Sequence, residues 1–118
     1  MTSSSTQGMM TVLHPVSDLG QAKAVYAALL SVAPQTDGPY YVGFDIAGQH
    51  VGLLPGGGPQ GLTTSLAYWH VSDIEAKIAE VTAAGATVKE PAHDVGGGRL
   101  VATVIDPDGN LLGLVQDR

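Results

Sequence analysis

The sequence predicts an α+β fold made by tandem duplication of one supersecondary unit. Three observations carry that reading. Val16-Ser17-Asp18-Leu19 returns as Val71-Ser72-Asp73-Ile74, 55 residues later. Gly48-Gln49-His50-Val51-Gly52-Leu53 returns as Gly109-Asn110-Leu111-Leu112-Gly113-Leu114, 61 residues later and in the same order within its half. Two signals repeating in one order define a repeated structural unit. Sixteen glycines and seven prolines in 118 residues add many turns, so strands should be prominent.

The elements follow in order. Residues 11–16 read as a strand, with Pro15 moving it towards an edge or an irregular end. Asp18 caps a helix: Gln21 stands at capping-box spacing, and Ala22, Val25, Tyr26, Leu29 and Leu30 follow at helical period. Pro34 ends it. Residues 40–46 form a strand, Ala47-Gly48 a tight turn, and residues 50–54 the return strand. Residues 55–61 are a Gly/Pro linker, so the first module spans 10–54 and the second 62–118, after a flexible tail of residues 1–9. Met9 and Met10 are alternative starts within that tail.

The second half repeats this order. Residues 64–71 are a strand, Ser72 or Asp73 caps a helix through Ala84, and Gly85 takes the left-handed position after it. Residues 86–90 form a short strand and residues 93–98 a flexible glycine-rich loop, a mobile lid or a loose turn. Residues 99–105 are a strand, Asp106-Pro107-Asp108-Gly109 a tight turn, and residues 111–116 the last strand.

Composition excludes several classes. A formal charge of −6 with five scattered basic residues gives no surface for nucleic acid. No apolar run reaches membrane-spanning length, and the Ser/Thr-rich N-terminus has neither the basic nor the apolar segment of a secretory signal. Without cysteine there is no disulfide and no thiolate ligand, which is compatible with the cytoplasm, the expected location. Glycines 96–98 lack the Lys-Ser/Thr and the strand-loop-helix context of a phosphate loop. No nucleophile elbow or Ser-His-Asp spacing is present.

The doubled Val-x-Asp-Leu/Ile resembles the vicinal oxygen chelate superfamily of glyoxalases, bleomycin-resistance proteins and extradiol dioxygenases. Ala22 and Tyr26 after the first copy, Gly85-Ala86 after the second helix, and Asp106-Pro107-Asp108-Gly109-Asn110 before the terminal strand belong to the same likeness. The resemblance covers nearly the whole chain from residue 10. It implies two βαβββ modules whose mixed sheets curve around a cleft, commonly in a homodimer.

The resemblance also implies where a metal would sit. Metal-using relatives carry His or Gln seven residues before each Val-x-Asp aspartate and Glu on each module's last strand. The cation there chelates two adjacent substrate oxygens. In this chain those positions hold Thr11, Leu66, Gly52 and Gly113. Three of them have no ligating side chain, and one threonine hydroxyl does not hold zinc or iron. No metal and no other cofactor is therefore expected. A rebuilt site would need His50 and His70 completed by Asp45, Asp94 or His93.

Strand alternation then sorts the remaining residues. Leu13, His50, Leu54, Leu66, Tyr68, His70, Leu111 and Val115 face the expected cleft, floored by Gly52 and Gly113. Replacing two carboxylates by glycine opens volume where backbone can meet a ligand. His14 and Trp69 face the helices; Trp69 becomes a ligand contact only if the facing is one residue off. Tyr40, Tyr41 and Arg99 rim the mouth, and Arg99 pairs with a ligand carboxylate or with a surface acid. His50, His70 and His93 are candidate general bases, each with the alternative of a plain hydrogen bond. Asp106 and Asp108 are assigned to their turn.

The function expected on this reading is metal-free binding of a small molecule, as in bleomycin-resistance proteins that sequester an antibiotic. The alternatives are a lyase, isomerase or dioxygenase-like enzyme using cleft histidines, and a regulatory module with a vestigial cleft.

Overall fold

The computed structural model describes residues 4–117. They form β1 (Thr6–Val16), α1 (Leu19–Leu30), β2 (Thr36–Asp37), β3 (Val42–Ile46) and β4 (Gln49–Pro55). The second series is β5 (Leu66–Val71), α2 (Ile74–Ala83), β6 (Thr87–Asp94), β7 (Leu100–Ile105) and β8 (Leu111–Gln116). The chain divides into two compact units, residues 10–67 and residues 68–117 together with residues 4–9.

The first unit runs β2-β3-β4-β1, with β1 parallel to β4 and the other pairs antiparallel. The second runs β6-β7-β8-β5, with β5 parallel to β8. In both, the one parallel pair is joined through the helix, because parallel neighbours need a long crossover. Each series is βαβββ, the duplication that the repeated motifs predict.

Local chemistry sets the helix ends. Asp18 is extended, and its carboxylate accepts from the backbone N–H of Gln21 at 3.0 Å. Asp73 does the same for Ala76 at 3.1 Å. Each satisfies a first-turn donor that lacks a helical partner. α1 ends at Leu30, before Pro34 is reached, because Ser31 turns left-handed at φ 59°. After α2, Gly85 takes the expected positive φ.

In the first unit, Val42, Phe44 and Leu53 are almost fully buried, with Leu19, Ala22, Tyr26 and Leu30 of α1 packed on them. Those four helix residues advance by three, four and four, a narrow stripe down one side. Val25 and Leu29, expected within that stripe, lie beside it and are 58% and 70% exposed. The second core comprises Val71, Ile74, Ala102, Val104 and Leu114, with Ile78 and Val81 of α2 against it. Fully burying side chains of this size stabilises by roughly 1.5–3 kcal/mol each.

β2 is an added short strand, β3 and β5 each begin two residues later than expected, and three further boundaries differ more. Of the flexible tail expected over residues 1–9, residues 1–3 lie outside the described residues and the rest is held. The Ser4 Oγ accepts from Asp73 N at 2.8 Å, Ser5 N donates to Ser72 Oγ at 2.9 Å, and β1 begins at Thr6. The segment 55–61 is a hydrogen-bonded loop of the first unit, not a free linker. Gly56 N donates to Val16 O at 3.0 Å and Leu62 N to Gly57 O at 3.0 Å, and the boundary between units falls after Ala67. Finally, β6 continues to Asp94, because His93 pairs with Val101 and Asp94 with Leu100. Polar side chains hide that continuation from a hydrophobic pattern. No helix among the described residues is long and apolar enough to cross a membrane.

Candidate functional site

The β3–β4 hairpin brings the chemistry of the first unit together. Its turn is two residues, Ala47 and Gly48, both left-handed at φ 52° and 78°. Such a turn matches the twist of the flanking strands and fixes their register. Asp45 therefore pairs with His50, and Gly43 with Gly52. Val42, Phe44 and Leu53 point to α1, so Gly43, Asp45, His50, Gly52 and Leu54 share the opposite face.

On that face Asp45 Oδ1 lies 2.6 Å from His50 Nδ1, and the Tyr41 hydroxyl meets His50 Nε2. The two rings are nearly parallel, 12° apart. Both glycines are necessary to this arrangement. A methyl group on Gly43 would lie 2.8 Å from His50 Cε1 and 2.9 Å from Tyr41 Cε2. One on Gly52 would meet the Tyr41 hydroxyl, with Leu13 Cδ2 at 2.7 Å. The open volume expected over Gly52 is thus filled by Tyr41 and Leu13. His50 remains 27% exposed and Asp45 58% at the side chain.

The second unit has a different cluster on the face away from α2. Asp117 bridges His70 Nδ1 at 3.1 Å and Arg99 Nε at 3.0 Å. Of the two partners expected for Arg99, a ligand carboxylate or a surface acid, the structure gives it the acid Asp117. Trp69 packs into the α2 core, which removes it from the ligand contacts. Leu66, Tyr68 and Val115 are 1%, 4% and 1% exposed, so Tyr68 presents no open stacking face. Leu13, His50, Leu54, Arg99 and Leu111 are only partly buried.

The remaining candidates are held locally. His14 stacks on Tyr26 of α1 at 5.3 Å between centroids, and its Nδ1 lies 2.6 Å from Ser65 Oγ. Burial lowers its pKa below 6.5. His93 Nδ1 donates to Pro91 O at 3.0 Å, and Asp94 accepts from Gly96 N at 2.6 Å. The expected flexible loop is closed by that bond and by Val95 N donating to Arg99 O at 2.9 Å. Asp106 accepts from the Asn110 side chain at 2.9 Å and from the Asp108 and Asn110 N–H groups, which lowers its pKa. It serves its turn.

Tyr41 and Gly43 gained no central role from the sequence, although period-two alternation applied to β3 places Gly43 and Asp45 beside His50. Asp117, just beyond the last strand, left no sequence signal.

A duplicated βαβββ chain with a polar hairpin face is a member of the glyoxalase-fold class. The chain belongs to the Glyoxalase/Bleomycin resistance protein/Dioxygenase superfamily, whose family model matches residues 9–114. Among solved structures it is similar to the Mn(II)-bound glyoxalase from Novosphingobium aromaticivorans, at 21% identity and TM-score 0.74, covering 97% of this chain and 40% of that one. It is also similar to methylmalonyl-CoA epimerase from Mycobacterium tuberculosis, at 16% identity and TM-score 0.71, covering 96% and 89%. A superfamily member from Vibrio splendidus 12B01 matches at 18% identity and TM-score 0.68, covering 96% and 100%. No curated protein matches the chain significantly in sequence. These likenesses establish the fold.

The residues at the superfamily's metal positions do not fit a divalent cation. Gly52 and Gly113 have no side chain, Leu66 is a buried hydrocarbon, and Thr11 offers one buried hydroxyl. The Tyr41 hydroxyl and Leu13 stand where a side chain at position 52 would project. Among the described residues no three His, Asp or Glu side chains are grouped closely enough to hold a metal ion.

Proposed function

We propose that this chain is a metal-free member of the superfamily that binds a small organic molecule, in the manner of proteins that sequester a ligand instead of converting it. The observation that carries the reading is the exchange at Gly52. A chelating carboxylate is absent there, and an aromatic hydroxyl and a leucine occupy its space. Leu13, Leu54 and the Tyr41 ring offer apolar surface beside one ordered polar group, the usual make-up of a small-molecule site.

Purified protein exposed to zinc, iron, manganese and nickel and then desalted is expected to retain far less than one metal per chain by plasma mass spectrometry. A thermal-shift screen of small aromatic and apolar compounds should then find ligands that raise the melting temperature. One equivalent of bound metal would overturn the reading.

A second reading, an enzyme using His50, is favoured by one observation, the Asp45 carboxylate on His50 Nδ1. It predicts product formation that disappears in His50→Ala.

A further inference from the structure

In the second unit Val115 pairs with His70 on one side and with Val101 on the other. Directly paired residues share a face, here the one turned away from the α2 core. The ladder of β7 and β8 ends at Leu100 and Gln116. One step further along the same register Arg99 meets Asp117, and alternation puts both on the face of Val101 and Val115. Asp117 Oδ2 lies 3.1 Å from His70 Nδ1, and its Oδ1 lies 3.0 Å from Arg99 Nε. One planar carboxylate thus spans an imidazole and a guanidinium, each oxygen facing one donor.

The three residues are not held alike. His70 lies within β5, with 11% of its side chain exposed. The backbone of Arg99 is fixed by the turn before β7, where its N–H donates to Gly96 O at 3.1 Å and its carbonyl accepts from Val95 N at 2.9 Å. Asp117 lies beyond the end of β8, and its side chain is 55% exposed. The donors belong to the folded sheet, whereas the acceptor leaves them by a side-chain rotation. Exposed ion pairs are weak, so a dissolved anion can compete with this one. We propose that His70 and Arg99 form a binding subsite for the carboxylate of a small organic acid, and that Asp117 is its internal occupant, displaced when the acid binds. Val101, half-buried on the same face, is the apolar wall for the body of the acid. The subsite goes beyond the binding reading of the β3–β4 hairpin and does not depend on it.

The test titrates benzoate into the whole, 15N-labelled protein and follows backbone amide shifts. The amides of His70, Val101 and Val115 should move together and saturate. Asp117→Ala removes the occupant from outside any strand and leaves both donors, so it should tighten benzoate binding about fivefold. Asp108→Ala, which removes the same charge from the turn before β8, should leave the affinity unchanged. Arg99→Gln should weaken binding about tenfold or more. Inorganic phosphate, tetrahedral where the site is planar, should bind more weakly than benzoate. An affinity that Asp117→Ala leaves unchanged or weakens overturns the proposal, and so does an equal tightening by Asp108→Ala, which would reduce the effect to net charge. Phosphate binding as tightly as benzoate overturns the assignment to a carboxylate. Shifts confined to the Gly43 and Gly52 amides would place the acid on the hairpin, sinking the subsite while the binding reading stands. Benzoate that moves no amide, in the unsubstituted protein or in Asp117→Ala, overturns the subsite outright.

Discussion

Gly43 and Gly52 are direct cross-strand partners, and the Tyr41 side chain lies against both. Together they make a shallow seat in the sheet at the place where the superfamily's carboxylate is missing. Ordinarily alanine in a strand interior is better than glycine by roughly 0.5–1 kcal/mol. At position 52 its methyl would lie 2.7 Å from Leu13 Cδ2 and 2.8 Å from Tyr41 Cε1. Overpacking of that kind costs about 1–3 kcal/mol, so the clash outweighs the gain. Gly52→Ala is expected to lower unfolding free energy in urea by about 1 kcal/mol. A more stable variant would show that Tyr41 is not seated there.

The hairpin turn is the opposite case, since Ala47 holds φ 52° with a side chain that disfavours it. A left-handed non-glycine residue costs roughly 1–2 kcal/mol, and asparagine bears it better than alanine. Ala47→Asn should raise stability by about 0.5–1 kcal/mol and leave the Asp45–His50 contact intact. Calorimetric unfolding checks this; an unchanged or lower melting temperature contradicts the turn geometry.

His14 gives stability a direction with pH. Its folded pKa is lowered by burial, so the unfolded chain binds the proton more readily below 6.5. The stability due to neutral His14 is complete above 6.5 and is lost as pH falls through the lowered folded value. Denaturation midpoints should drop across that window. His14→Phe, which keeps a ring against Tyr26 but does not titrate, should flatten the drop; an equally steep profile in the variant would assign it to other groups.

Ser4 and Ser5 give a truncation test. Ser4 N–H donates to Glu80 Oε2 at 3.2 Å, its hydroxyl accepts from Asp73 N, and Ser72 N donates to Ser5 O at 3.0 Å. Such bonds contribute about 0.5–1.5 kcal/mol each. A chain beginning at Met10 is expected to be less stable than one beginning at Met1 by more than a single bond accounts for. Equal stability in guanidinium would mean that these contacts are not held in solution.

The sequence by itself determined the duplication, the two helix caps at Asp18 and Asp73, the turns at 47–48 and 106–109, and the missing metal ligands. These depend on residues within a few positions of one another, or on the identity of one side chain, and local chemistry decides them. It also placed His50 opposite His14 across the sheet, because alternation is a local rule. Only the tertiary structure decided what fills the space over Gly52, since Tyr41 lies outside any strand and reaches Gly52 through the pairing of β3 with β4. The partnership of His70, Asp117 and Arg99 likewise joins a strand, a chain end and a loop far apart in sequence. Ser4 and Ser5 look disordered by composition, and only their bonds to Ser72, Asp73 and Glu80 show otherwise. Long-range register creates those contacts, and register is a property of the assembled sheet.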